Sequence, residues 1–597
     1  MVAKFQIRSI LSAVLAMSST AVVSPQAFAD TPAVTAITGV DIVNPIGFPS
    51  TEDATIIIEG DTITVIGVDS DVAVPKGAKI IDGTGRWLIP GLMDLHVHIG
   101  IGSGALIGTY EGGQPKRPKN LPSSRDNVEM TYRNYLRSGI TTIRSTGEPG
   151  GLLGLGWPYQ GKDNLKDRAE RAIMAPRLIL STPLFYPRSS FPFFNRITSP
   201  KQGVKAVRRY AEKSDVDLLK IWYVHGKFTG ESDTDDTWKE HLPIVEAMLD
   251  EANRIGLPNT VDAIEVWKAK EVIKRGGNLA HGIFIGEVDD EYISLMRKRK
   301  VKQVWTIIAT ERYFDAVAGR FAPTTPELLL SNPNVMSQII DIRGRDTEKL
   351  VIPENGSPYS NMTLAEAMKA PRFTEETENT IENLRRVHEA GIEFGVGTDT
   401  GIIGMPAAAP LFAEFALYRR AGVSTHEVLT AATINNAKII DLEDEIGSIT
   451  EGKKADLVLL HADPLADVMN MSEITGVMRN GRYFTADELN PDTPKDIVAR
   501  LRNAFNIGDA DAGAALLRVN ASFESMLDGV TLLGRDKVNK KYMTGADGVT
   551  YRGLIDAMVD GPVVTQKERW SDGRIVTVRY ETAGKKIAAI TILSVDN

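Results

Sequence analysis

The chain has 597 residues, no cysteine, eight histidines and a formal net charge of −9 from 68 basic and 77 acidic side chains. With 43% hydrophobic and 24% charged residues it has the make-up of a globular protein, not of a disordered tail, a coiled-coil rod or a polytopic membrane protein. Its bases read as dispersed, which counts against nucleic acid as a partner. The missing thiolates leave His, carboxylate or a modified side chain as the metal donors.

Residues 1–29 read as a targeting segment. Lys4 and Arg8 precede the apolar run Ile10–Met17, which is too short to span a bilayer, and Ala27-Phe28-Ala29 offers small residues at the cleavage positions before Asp30. A periplasmic or secreted protein, free of the membrane after cleavage, is expected. Short β-rich runs follow at Val34–Val43, Ala54–Glu59 and Thr62–Val68, with Gly60-Asp61 turning the last two into a hairpin, then Lys79–Asp82 and Trp87–Ile89.

From Gly91 the pattern alternates strand and helix. Strands are expected at Thr141–Arg144, Arg177–Ser181, Leu218–Val224, Thr260–Ala263, Leu279–Ile283, Val304–Ile308 and Phe394–Gly397, with amphipathic helices such as Lys201–Lys213, Trp238–Arg254 and Glu375–Ala390 between them. Repeated β-then-α at this spacing predicts an α/β fold, a closed (β/α)8 TIM barrel over 91–436. A second β-rich patch, Asp456–Leu460 and Thr475–Arg482 with a turn at Asn480-Gly481, predicts that 30–90 and 437–487 join as one discontinuous β-sandwich domain. Residues 488–495 read as a linker. Beyond them, 496–597 read as a separate α+β unit: a helix over Asp496–Arg518 broken at Gly508, then strands at Arg574–Glu581 and Lys585–Leu593 about a turn at Ala583-Gly584.

His96-Val97-His98 carries the first chemical signal. Two His at i, i+2 on a strand face the same way, so at the end of a barrel strand both imidazoles would converge on the cavity and could hold one divalent ion. Ile89-Pro-Gly-Leu-Met-Asp-Leu-His-Val-His98 resembles the opening strand of the amidohydrolase superfamily. Ser424–Asn436 resembles its late helix, and Gly447–Leu460 the strand that returns to its small β-domain. Gly139–Arg144 and Ala175–Ser181 are similar to the subgroup of imidazolonepropionase and the Xaa-Pro dipeptidases.

The resemblance implies a metal-dependent hydrolase of C–N bonds, holding one or two divalent ions, zinc by preference. It implies His96, His98, Lys220, His281 and Asp399 as ligands, with Lys220 carboxylated to bridge two ions and Asp399 also the catalytic acid and base. An inward Lys220 agrees with its strand neighbours, since Leu218, Trp222 and Val224 share its face, and a lysine buried uncompensated is costly. Asp262 stands where the pattern has His, as a weaker candidate ligand, and Ser145 follows Arg144 where an acid is common. His225, Arg144 and Tyr159 are candidate substrate contacts, with Arg188 and Tyr313 unranked beside them; His241, His388, His426 and His461 are expected away from the site.

The expected substrate is a small amide, dipeptide or cyclic amide. Opening of a lactone or ester on the same site, or a metal-poor barrel kept for ligand binding, are the alternatives. Phe505–Leu517, Gly534-Arg535 and the strand-rich ending are similar to SnoaL-like, ketosteroid-isomerase-like cone folds, which implies an accessory module and a homo-oligomer formed through it.

Overall fold

The computed structural model describes residues 33–46, 51–99, 110–111, 114–115, 128–148, 159, 164–186, 195–224, 235–341, 348, 362–371, 374–402, 404–544 and 549–596. The targeting segment, His225 and Arg188 lie outside the described residues.

The two β-rich patches form one sheet. Strands β1 (Val34–Ile42), β2 (Thr51–Glu59) and β3 (Thr62–Val68) run antiparallel in sequence, while β4 (Lys79–Asp82) and β5 (Trp87–Pro90) lie parallel to β1. The alternating Ile-rich face of β2 buries Ile56 and Ile58 against Ile37 and Leu88, and apolar burial of this kind holds the layer together.

Beyond β5 the chain builds parallel strands β6 (Leu92–Val97), β7 (Ile140–Ser145), β8 (Arg177–Leu180), β9 (Leu219–Trp222), β10 (Asn259–Asp262), β11 (Val304–Trp305) and β12 (Gly395–Val396). Parallel pairings join β6–β7–β8, β9–β10 and β11–β12. Single parallel bridges complete the circuit: Ser181 to Leu218, Val261 to Leu279, Leu279 to Gln303, and Val97 to Thr400. The result is a closed ring of parallel segments in which Leu279 stands for a strand. Helices cover the outside, among them α1 (Pro200–Lys213), α2 (Asp235–Ile255), α3 (Asp290–Arg299), α4 (Ile307–Val317), α5 (Thr325–Leu330), α6 (Pro333–Ile340), α7 (Glu375–Glu389) and α8 (Pro410–Arg420).

Ser199 caps α1 by accepting from the Gln202 amide, and Pro200 follows at its first turn, the arrangement that suits orphan N–H groups. Strands β13 (Leu457–Leu460), β14 (Ile474–Arg479) and β15 (Arg482–Thr485) then return to the first sheet, where β13 pairs antiparallel with β5, Val458 opposite Ile89.

Several expected strands are shorter in the structure, and for two of them the cause is local. The run expected to be extended through Ile308 turns helical at Ile307, because the buried Glu414 carboxylate accepts from the Ile307 and Ile308 amides at 2.8 and 2.6 Å and so caps α4. Leu279–Ile283 keeps only its bridges at Leu279, since the chain bends at Ala280 and His281.

The C-terminal unit consists of α9 (Pro494–Ile507), α10 (Ala510–Leu516), α11 (Arg535–Thr544) and a six-stranded sheet, β16 (Leu517–Ser525), β17 (Val530–Leu533), β18 (Arg552–Asp560), β19 (Val563–Trp570), β20 (Ile575–Ala583) and β21 (Lys586–Asp596). The helix expected to run to Arg518 ends twice, at Gly508 with φ +82° and at Leu517, where the chain enters β16. Its interior is filled by its own side chains. The Arg552 guanidinium lies 4.1 Å from the Phe505 and Tyr542 ring centres and 4.7 Å from that of Trp570. Glu568 accepts from Tyr580, Gln566 and Trp570 at 2.6, 2.6 and 3.0 Å.

This unit is not held off by a free spacer, contrary to the sequence reading of a linker and a self-contained ending. Asp492, inside the expected linker, is buried and bonded by Arg500 at 2.6 and 2.9 Å, with Arg137 of the ring's own shell at 3.5 Å. Arg500 also donates to Leu328 O at 2.8 Å and Asn503 to Pro333 O at 3.1 Å. Ala504 and Ala512 share one apolar cluster with Leu328, Met336, Ile339 and Ile340. Among the described residues no helix is long and apolar enough to cross a membrane.

A chain ending at Phe484 uncovers those side chains, each worth about 1.5–3 kcal/mol when buried. It is expected to melt several degrees below the full chain and to aggregate or self-associate in size-exclusion chromatography. A monomeric truncate with an unchanged melting temperature would show that the C-terminal unit only rests on the ring.

Candidate functional site

Six side chains meet inside the ring at the ends of its strands: His96 and His98 from β6 and its end, Lys220 from β9, Asp262 from β10, His281 from the Leu279 segment and Asp399 just past β12. The fold needs glycine to bring them this close. A Cβ at Gly397 would meet the His96 Cβ at 2.6 Å, and one at Gly401 would meet the His98 carbonyl oxygen at 1.9 Å. Asp399 itself has φ +69°, a left-handed backbone that is uncommon outside glycine, Asn and Asp and that collects at functional sites.

The imidazoles are fixed from behind. His96 Nδ1 lies 2.8 Å from Ala280 O and His98 Nδ1 3.2 Å from Gly147 O; a carbonyl only accepts, so each Nδ1 carries the donated proton. His281 Nδ1 meets the Thr306 hydroxyl at 2.6 Å. All three Nε2 atoms are thereby left to point inward. His98 Nε2 is 2.9 Å and His96 Nε2 3.5 Å from Asp399 Oδ1, and His281 Nε2 is 3.2 Å from Asp262 Oδ1. Lys220 Nζ sits between the two halves, 2.5 Å from Asp262 Oδ1 and 3.4 Å from His96 Nε2.

Two donor groups result, His96/His98/Asp399 and His96/Asp262/His281, each with its ligand atoms within 4.8 Å of one another. A neutral imidazole nitrogen facing a carboxylate oxygen at such distances sets lone pair against lone pair, so a proton or a cation belongs between them.

The charges confirm how tightly the groups are coupled. Burial lowers the His96 pKa far below its ordinary value, and the Lys220 ammonium pushes the same way. Burial also works against a charged His98, yet the Asp399 carboxylate raises it overall. Burial opposes an ionised Asp262 too, but Lys220 and His281 hold it down at about 2. Lys220 is fully buried and burial lowers its pKa, with Asp262 opposing. Asp399 is the acid closest to solvent, its side chain 14% exposed against 5% for Asp262.

The model of the amidohydrolase family matches residues 87–483, more than half of the chain. The chain belongs to the amidohydrolase family. Among curated relatives of this amidohydrolase, an imidazolonepropionase of Caldanaerobacter subterraneus subsp. tengcongensis is 41% identical over 90 residues, 14% of this chain and 20% of that protein. A 5-methylthioadenosine/S-adenosylhomocysteine deaminase of Moorella thermoacetica is 30% identical over 148 residues, 22% of this chain and 32% of that protein. The chain thus matches only a fifth to a third of the length of these relatives.

Among solved structures it is similar to a Xaa-Pro dipeptidase with bound methionine in the active site, with a TM-score of 0.55 and 20% identity over 76% of this chain and 100% of that one. It is also similar to molinate hydrolase, with a TM-score of 0.54 and 18% identity over 78% and 97%. At such identities the likeness speaks for the fold alone.

Two expected substrate contacts are buried in the amidohydrolase, one of them in the field of the cluster. Arg144 is buried, spends its Nε on Leu95 O at 2.7 Å and lies in the field of Asp262 and Asp94, where burial lowers its pKa to about 10. Tyr159 is buried against the Tyr210 ring at 5.6 Å, with its hydroxyl on Glu148 O at 2.9 Å. Tyr313 lies in α4 against Phe314, at 5.3 Å between ring centres. His388 faces Glu427, His426 faces Asn44 O and His461 is exposed, all apart from the cluster. His241 lies in α2, half-buried, outside both donor groups.

Other supporting residues went unassigned in the sequence. Asp94 shares the His96 face at i, i+2 and accepts from Thr398 Oγ1 at 2.6 Å and the His96 amide at 3.2 Å, tying β6 to the Asp399 turn; burial raises it to about 7. Glu148, three residues after Ser145, bonds that serine and accepts from the Ile99 amide at 2.6 Å. The i, i+2 spacing was a usable signal for Asp94; nothing in the sequence pointed to Thr306 or Glu148.

In chelator-treated protein, Lys220→Met leaves the Asp262 carboxylate without its cation. Breaking one side of a buried pair costs about 3–5 kcal/mol, whereas removing both partners is far milder. Lys220→Met should therefore lower the thermal midpoint strongly and Lys220→Met/Asp262→Asn recover most of the loss. Equal midpoints for the single variant and the parent would mean that the pair is not formed in solution.

Proposed function

We propose that this amidohydrolase hydrolyses a C–N bond of a small amide, dipeptide or cyclic amide at the six-residue cluster, on a ring that is a (β/α)8 barrel, and that it is exported. The observation that carries the reading is the convergence of three imidazole Nε2 atoms and two carboxylates whose outer nitrogens are tied to protein oxygens. Export rests on the basic start, the short apolar run and the small residues before Asp30.

The donor set of imidazole and carboxylate suits zinc or a similar divalent ion, held by His96, His98 and Asp399, with Asp262 and His281 able to take part in holding a second. Such an ion, when bound, polarises a carbonyl and lowers the pKa of a water toward neutrality. Lys220 is the residue that would carry a carbamate. Carboxylation turns its cation into an anion beside Asp262, so it belongs with two ions and not with an ion-free site.

The chain's own residues do the rest. Asp399, the acid nearest solvent, takes the proton of the attacking water at a carboxylate oxygen and returns it to the leaving nitrogen. Asp94 and Thr398 hold the turn that presents it. Thr306 keeps the His281 ring in place. The C-terminal unit, read as a SnoaL-like cone fold, is an accessory module in this account; its filled interior supports that role.

Purified protein is expected to carry at least about one divalent ion per chain and to cleave members of a dipeptide and N-acyl amino-acid panel. Chelation should abolish the activity and zinc restore it. Asp399→Asn should lower the rate by about 10²–10⁴-fold, the usual weight of a general acid–base group. A metal-free protein inert on amides, but opening lactones or esters once zinc is added, would move the reading to that chemistry. Thr306→Val is expected to weaken metal affinity about 10–100-fold in a chelator competition, since a tethered imidazole is lost. Unchanged affinity would show that Thr306 does not set the His281 ring.

A further inference from the structure

The dispersal expected of the bases fails at one place: Arg297, Lys298, Arg299, Lys300 and Lys302 fill five of six consecutive positions in a chain whose net charge is −9. The run closes α3 and leads into β11, at the end of the ring opposite the metal cluster. There it borders a hollow of about 350 Å³, within the range of small-molecule sites.

Three separate stretches of chain bring cations to this hollow. Arg297 and Lys300 come from the end of α3, Lys302 from the lead into β11, and Lys438 from the helical turn that begins at Asn436. Glu393 is the acid among the lining residues, and it is bonded to Lys438 at 2.6 Å. Lys302 is neutralised by Asp441 at 2.5 Å. Arg297 reaches the Ala390 carbonyl, and Lys300 sits in a left-handed backbone at φ +50°. A helix C-terminus draws cations into its last turn, which accounts for Arg297 on its own element. It does not account for Lys302 and Lys438, which face the same hollow from elsewhere.

The floor is apolar. Met296, Val301 and Phe394 are buried beneath it. Gln303 closes the back, and its side chain is already spent, Nε2 on His281 O at 3.0 Å and Oε1 on the Tyr292 hydroxyl at 3.0 Å. A solvated cation patch needs no such floor, and a purely apolar seat needs no such rim.

We propose that this hollow is a second binding site, for a small organic anion: one carboxylate or phosphate on an apolar body. The anionic head takes charge-assisted bonds from Arg297 and Lys300, and the body lies on Met296, Val301 and Phe394. Because the hollow opens at the other end of the ring, the ligand is distinct from whatever the metal cluster acts on.

The test uses the full-length protein and calorimetric titration with phenyl phosphate, inorganic phosphate and benzamide, before and after chelation. The expected result is one saturable phenyl phosphate site per chain, unaffected by chelation, at least tenfold tighter than for inorganic phosphate, with no heat from benzamide. Arg297→Gln/Lys300→Asn, with Asn chosen because it accepts the left-handed backbone, should weaken phenyl phosphate at least tenfold while circular dichroism and the melting temperature stay those of the parent. Lys300→Asn alone should weaken it by a smaller factor, so the proposal remains testable if the double variant misfolds. Loss of binding on chelation would place the anion at the metal cluster. Equal affinity for inorganic phosphate would reduce the hollow to a charge patch, and indifference to the variants or no saturable binding would overturn the site outright.

Discussion

A ring interior that buries polar side chains must balance their charges internally, and the rest of the site follows from that constraint. Lys220 and Asp262 are both buried and 2.5 Å apart, so each is tolerable only because of the other. His96 and His281 lie next to that pair, with ring centres 4.2 Å apart, and His98 with Asp399 completes the line of donors toward solvent. Buried this deeply the groups are little screened, so a change at one alters the protonation of its neighbours. Five of the six side chains also form two groups of imidazole and carboxylate donors able to hold a metal ion.

The frame that keeps the six in place is a seam between the first and last strands of the ring. Asp94 bonds Thr398, Thr400 O accepts from the His98 amide at 2.7 Å, and Asn436 bridges Met93 O and Val396 O at 3.0 Å each while accepting from the Val396 amide. The seam therefore joins the chain near residue 95 to the chain near residue 400 through buried groups that have no alternative partner in water. Glycine at 397 and 401 lets those backbones approach, and an added Cβ at either would push the histidines apart. The Asp399 turn, with its left-handed residue, is stable because both its flanks are pinned.

The C-terminal unit extends the same logic outward. α4 starts at the Thr306 that touches His281, and α5 and α6, which follow it, form the surface on which α9 packs. The buried Arg500–Asp492–Arg137 cluster fastens that contact, so the shell around the ring is completed by chain from beyond residue 484. The unit's own interior, closed by Arg552 and Glu568, is occupied by side chains that satisfy one another.

The alternation of β and α runs, the joining of two distant β patches and the His96/His98 pair were legible from spacing and residue type, because a parallel strand buried on both faces must read as an apolar run and a strand-end histidine pair must share a face. His96 and His98 were named on that footing, while Lys220, His281, Asp399 and, as a departure, Asp262 came from the family resemblance; the six meet in the structure. What sequence alone left open depended on contacts between residues hundreds of positions apart. The Asp262 carboxylate could not be known to face Lys220 rather than solvent until β9 and β10 were in register. Arg144 and Tyr159 were legible as polar groups near strand ends, but only the packing showed that both are buried. Ile307 enters a helix because Glu414, more than a hundred residues later, caps it, and residues 488–495 are no spacer because Asp492 finds Arg500 and Arg137. Local patterns determine which elements form and which faces are apolar; buried polar partners are chosen by the closure of the whole chain, since their energy depends on what else is excluded from water beside them.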